Sequence, residues 1–236
     1  MYNEFVAYPS IKPTPIQILE VVKPNVDYVL GLDSIMTSEL TSSESSTSDY
    51  SITVMKGIDP NSELQFCPIA LYKERPKTIY QAHETGIRLL KHYNKYGRAK
   101  MTGELNAASE IFISMAISEG LKGCLLKRRD LSDKGYVDVK KFWFYRNDKI
   151  LDWQIEACNV YLKKYGHMVW FREYLEDALK GIDENKDALD SLMACLYGFG
   201  TGDLLGEKKP KEIKEPIKQE KRVLKNVNGV MMFVWE

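Results

Sequence analysis

The alternation of apolar and polar positions divides the chain into short extended runs and longer helical ones. Residues 26–33 (VDYVLGLD) are β-formers with no breaker before Gly31 and end on the carboxylate of Asp33, so they predict a buried strand. Residues 50–58 set Tyr50, Ile52 and Val54 against Ser51 and Thr53, the period of a half-buried strand. A turn at Asp59-Pro60-Asn61-Ser62 leads to a third strand over 64–72, where Pro68 predicts a sheet edge. Three strands with no helix between them imply an antiparallel meander. The period then changes. Ile79, Ala82, Gly86, Leu89, Leu90 and Tyr93 form one helical stripe, capped by Thr78 and stopped by Gly97. Residues 98–105 return as a strand, parallel to the first if the helix is a crossover. Downstream the pattern predicts a helix over 109–118 capped by Ser109, a fifth strand over 121–126 and a helix over 148–165 built on Leu151, Ile155, Cys158 and Leu162. A short strand at 168–170 and helices over 171–179 and 187–198 complete the pattern.

The flanks differ in kind. Residues 1–25 are punctuated by Pro9, Pro13, Pro15 and Pro24, which predicts an extended arm or linker with at most a short helix near 15–22. Residues 37–49 are almost all Ser, Thr and acids, a loop composition. Residues 203–225 read as a Lys/Glu-rich tether, and Asn228-Gly229 between two apolar runs predicts a closing hairpin. That hairpin is either an added sheet edge or, as the preceding tether favours, a docking element for another subunit. The division is therefore 1–25 arm, 26–200 domain, 201–236 tether and hairpin. The order of elements in the domain is that of the ribonuclease H-like layout: an α/β fold with a mixed sheet, three antiparallel strands then parallel ones, flanked by helices on both faces.

Composition narrows the partners. Lys and Arg balance Asp and Glu at 33 each, so any basic footprint must be local. It falls at 122–149, where nine lysines and arginines face four aspartates and Tyr136, Phe142, Trp143, Phe144 and Tyr145 are interleaved. Lys127, Arg128, Arg129, Lys140, Lys141 and Arg146 are the candidates there for contacts to a phosphate backbone. The four cysteines form no CxxC pair, which argues against a zinc knuckle and suits a reducing cytoplasm. No apolar run reaches the roughly 20 residues of a membrane span. His83 reads as packing or surface, and His92 and His167 have no ligand partner at metal spacing.

Three acidic stretches remain: Asp33 at the end of the first strand, Glu104 near the end of the fourth, and Asp187 with Asp190 one turn apart on the last helix. Neighbouring strand ends bring side chains on one face to within about 5–6 Å of each other. Carboxylates converging there repel one another unless a divalent cation neutralises them, and hard oxygens favour Mg²⁺ or Mn²⁺.

The wording around these acids resembles the nuclease domain of tailed-phage large terminases. Gly31-Leu32-Asp33 is similar to that family's first catalytic motif and Ser48-Asp49-Tyr50-Ser51 to its opening of strand two. Gly103-Glu104-Leu105-Asn106 resembles the second motif and Asp187-Ala188-Leu189-Asp190 the third. The resemblance covers roughly residues 26–200. It implies an endonuclease that cuts double-stranded DNA during genome packaging, with Asp33, Glu104 and Asp190 as ligands to two Mg²⁺ or Mn²⁺ ions and Asp187 as auxiliary ligand or general base. Asp49 stands at the edge of that site. It further implies a terminase ATPase domain, a small terminase and a portal protein as partners, in the cytoplasm of an infected host. The chain has no GxxxxGK[ST] motif, so no ATP hydrolysis is expected of it, as for an excised domain or a split gene product. Two other readings stay open: a Holliday-junction resolvase or transposase-like nuclease with the same layout, and an inactive module that only docks DNA or a portal.

Overall fold

The computed structural model describes residues 15–35, 48–62, 65–127, 142–180 and 185–200, together with the backbone of 222–227 and 230–235. Strands β1 (Ile16–Ile18), β2 (Tyr28–Asp33), β3 (Tyr50–Lys56), β4 (Pro68–Glu74) and β5 (Ala99–Gly103) form one sheet in the order β1-β4-β3-β2-β5. β2, β3 and β4 are the antiparallel meander, and β5 runs parallel to β2. The crossover that makes this possible is α1 (Ile79–Tyr93), whose predicted stripe is buried at all six positions. Thr78 Oγ1 accepts from Gln81 N at 3.3 Å, satisfying one of the free N–H groups of the first turn.

Strand alternation sorts the two cores. Tyr28, Leu30 and Leu32 of β2 and Tyr50, Ile52 and Val54 of β3 face α1 and α2 (Ala107–Ser118), packing with Leu90, Phe112 and Ile113. The opposite face carries Val29, Met55 and Leu71 against α3 (Asp148–Tyr165), α4 (Arg172–Leu179) and α5 (Asp187–Gly200), through Tyr161, Tyr174, Leu192, Cys195 and Phe199. The chain is thus a mixed-sheet α/β fold of ribonuclease H-like layout, with helices on both faces. Gly31 lets α5 lie directly on β2: a Cβ there would stand 2.1 Å from the Ser191 carbonyl oxygen and 2.6 Å from the Cys195 nitrogen.

Several local expectations are corrected. β3 is buried on both faces, because its polar residues meet hydroxyls from the helices. Ser51 Oγ and Thr53 Oγ1 lie 3.0 and 2.6 Å from Ser191 Oγ, and Thr53 Oγ1 lies 2.7 Å from Tyr174 OH. Pro68 begins β4, but β4 is not the edge, because β1 pairs along it from Ile16↔Tyr72 to Ile18↔Ala70. The arm therefore supplies a strand where a short helix was the most expected of it. The fifth strand is reduced to one bridge, Met101↔Leu125, beside a 3₁₀ turn at Lys122–Cys124. The segment 168–170 is no strand, since Gly166–Met168 is another such turn. The cap of α2 is Asn106, not Ser109: each side chain accepts from the other's backbone N–H, a capping box. On α3 the buried line is Gln154, Cys158 and Tyr161, so of the Leu151–Ile155–Cys158–Leu162 stripe only Cys158 is buried.

The closing hairpin forms as predicted, β6 (Arg222–Val227) against β7 (Val230–Trp235), in a two-stranded sheet of its own. Most of the Ser/Thr loop, at 36–47, and most of the tether, at 201–221, lie outside the described residues. No helix among the described residues is long and apolar enough to cross a membrane.

Candidate active site

The register of β2 and β5 positions the first two acids. Leu32 pairs with Gly103, so Asp33 and Glu104 are the next residues along neighbouring parallel strands, in the same phase. That phase is the one of Val29 and Gly31, which face α5. Glu104 then bridges Phe144, and Leu105 N donates to the Phe144 carbonyl at 2.7 Å. From the other side α5 brings Asp190 in its first turn. Asp33, Glu104 and Asp190 line one open cleft with Arg146 and Gln154, between apolar walls of Leu32, Phe144 and Ala194.

The start of α5 is fixed by a residue of another helix. Asp177 of α4 is buried, and its Oδ2 accepts from Ala188 N at 2.8 Å and Leu189 N at 3.3 Å. A carboxylate on free N–H groups at the positive end of a helix is favourable. Lys73 at 3.4 Å and Lys180 neutralise its Oδ1. Asp177 sets where Asp190 stands without entering the cleft.

Like charge dominates the cleft. Burial pushes the Asp33 carboxyl well above the ordinary range, and the charges of Asp190, Asp187 and Glu104 add to this against the relief from Arg146. Glu104 is raised as well, by burial and by Asp190, against the opposing pull of Arg146. Arg146 holds Asp190 with both guanidinium nitrogens, at 3.0 and 3.1 Å, and reaches Glu104 at 3.6 Å. The turn that delivers it contains Trp143, buried at a φ of 61° and anchored by its indole N–H on the Met101 carbonyl at 3.1 Å. That backbone conformation costs about 1–3 kcal/mol in a non-glycine residue.

The other predicted residues fall outside the cleft wall. Asp187 begins α5 beside it, where its Oδ2 accepts from Asp49 N at 3.0 Å and burial raises its carboxyl to about 6. The Asp49 side chain stands 3.9 Å from Lys73. Lys127 is exposed at a bridge to Phe142, and Arg128, Arg129, Lys140 and Lys141 lie outside the described residues. His83 is buried between Tyr50 OH at 3.0 Å and the Ala108 carbonyl at 2.9 Å, a packing role. The four cysteines are free and buried. Gln154 was missed by the helical stripe, which reads apolar positions and passes over a polar residue on a buried face.

Chemically the donors suit a hard divalent cation: three carboxylates in one cleft, two of them raised above the ordinary range first by burial. Among the described residues no three His, Cys, Asp or Glu side chains stand as a finished metal cage. Arg146 instead contacts two of the three carboxylates, Asp190 and Glu104.

A mixed-sheet α/β fold of ribonuclease H-like layout with an acid cleft at its parallel strand ends is the class this chain defines. No family model and no curated protein matches it. Among solved structures it is similar to two crystal structures of the large terminase nuclease from thermophilic phage G20c. One, with bound magnesium, has a TM-score of 0.49 at 11% identity and covers 79% of this chain and 88% of the other. The second has a TM-score of 0.46 at 12% identity, over 79% and 89%.

Proposed function

We propose that this chain is a divalent-metal-dependent endonuclease that cuts double-stranded DNA during phage genome packaging. The observation that carries the reading is the shared cleft of Asp33, Glu104 and Asp190, delivered by β2, β5 and α5. Its support in sequence is the terminase-like wording around each acid. Asp33, Glu104 and Asp190 would hold two Mg²⁺ or Mn²⁺ ions, and Asp187 would assist from the edge. Ions so held would activate water and take up charge on the leaving oxygen.

The chain's own residues do the rest. Asp33 and Glu104 fix donors on adjacent strand ends, and α5 closes the set with Asp190. Arg146 serves as resident counter-charge before ions enter and then turns to the phosphate backbone. Lys127 and the basic residues 128, 129, 140 and 141 extend that contact without reading sequence. Residues 26–200, completed by the β1 strand of the arm, form the nuclease unit, and 201–236 a tether and hairpin. An ATPase domain, small terminase and portal would be its partners.

The test is cleavage of plasmid, linear duplex and four-way junction by the chain with Mg²⁺ or Mn²⁺, beside Asp33→Ala and Asp190→Ala. The expected result is metal-dependent cutting of linear duplex, lost in both variants. Variants that cut as fast as wild type overturn the site, and cutting confined to junctions overturns the packaging role.

A further inference from the structure

One neutral polar side chain lines the cleft among the acids. Gln154 lies on α3, is 3% exposed, and reaches the cleft beside the three acids. Its side-chain amide makes no hydrogen bond to a described residue, and neither of its polar atoms is sealed from solvent without a partner. The amide therefore keeps a narrow opening onto the cleft, where a partner from outside the chain can reach it. Three carboxylates stand in the same cleft as acceptors, and the amide donates to none of them. The same face of α3 continues with buried Cys158 and Tyr161, so an apolar side chain would suit position 154 if packing were all that it served.

We propose that Gln154 is a catalytic residue whose carboxamide donates from Nε2 to a non-bridging oxygen of the scissile phosphodiester. This rests on the nuclease reading. A phosphate entering this cleft meets acids and needs donors. A lysine or arginine at 154 would pair with Asp190 or Glu104, as Arg146 already does. A neutral amide leaves those acids free for a cation and keeps its own donor for the substrate. Its orientation is held by burial, so little is lost in ordering it when substrate arrives.

The experiment measures steady-state cleavage of linear duplex by the full chain with Mn²⁺, calorimetric Mn²⁺ affinity and Tm. It compares wild type, Gln154→Leu and Gln154→Glu. Gln154→Leu removes the donor and leaves the volume filled. It is expected to lower kcat about 10–100-fold with KM and Mn²⁺ affinity unchanged, and Tm unchanged or raised. Gln154→Glu also loses the donor and falls comparably in kcat, while the added carboxylate tightens Mn²⁺. Wild-type kcat in either variant, or a fall in kcat that only accompanies a loss of Tm, overturns the proposal. If wild type cuts and the variants match it, only this inference falls. If wild type neither cuts nor binds Mn²⁺, the nuclease reading falls and takes this one with it.

Discussion

Two ion clusters sit at opposite ends of β2 and β3. At the Tyr28↔Lys56 end, the Lys56 ammonium is fully buried, 2.7 Å from Glu20 and 3.5 Å from Asp59. Lys23 completes it, 2.6 Å from Glu20 and 3.1 Å from Asp59. Two bases meet two acids. At the Asp33↔Ser51 end, three acids meet one arginine in an open cleft. The carboxyls respond in opposite directions. Burial raises Asp59, but the Asn61 N–H and Lys23 outweigh it and leave it below the ordinary range. Asp33 stays well above it. A balanced cluster clasps the arm to the sheet. An unbalanced one holds like charges together, so charge balance separates the two clusters where acid content does not.

The comparison is open to attack in four ways. The largest effect belongs to Asp33→Asn: cleavage should fall at least ~10³-fold, with Tm unchanged or raised because a repelling charge is gone. A large loss of Tm would show that the cleft is scaffold after all. Next, Lys56→Met strips the balanced cluster of its buried base and should cost about 3–5 kcal/mol in denaturant unfolding. A neutral result would remove the contrast from the other side. Third, Arg146→Gln should tighten Mn²⁺ about tenfold by calorimetry, since the ion no longer displaces a guanidinium. It should also weaken DNA binding and flatten its salt dependence. Unchanged metal affinity would show that Arg146 does not guard the acids.

The smallest effect is a pH slope that belongs to neither cluster. Burial lowers His83 to about 4 from an ordinary 6.5, against the pull of the Ala108 carbonyl. Between those values the folded chain binds fewer protons at this site than the unfolded one. Its contribution is therefore intact above 6.5 and is lost as pH falls from there through 4, at a cost of about 3 kcal/mol. The raised carboxyls of the cleft titrate with the opposite sign. Denaturant midpoints should show the stability gap between wild type and His83→Gln narrowing from pH 6.5 to 4. A constant gap would assign the whole acid response to carboxylates.

Most of the frame was legible because it depends on periodicity. The stripe of α1 announced a crossover, the crossover made β5 parallel to β2, and that register set Asp33 beside Glu104. What escaped depends on partners distant in sequence. Ile16–Ile18 is too short and too close to prolines to declare itself a strand, and only β4 makes it one. Ser51 and Thr53 look solvent-facing until Ser191 and Tyr174 arrive from far along the chain. Asp177 caps a helix eleven residues away, which no local capping pattern encodes. Gln154 and Arg146 gain meaning only from the acids they meet.

Lys127 bridges Phe142, and Phe142 leads within four residues to Arg146. Trp143 N donates to the Leu126 carbonyl at 3.0 Å and Phe144 N to the Gly103 carbonyl at 3.3 Å, so the backbone is tied to β5 on its way to the arginine. Arg146 therefore takes its place from the same strand whose end presents Glu104. A shift of β5 would carry guanidinium and acid together, so one strand sets the spacing of the pair.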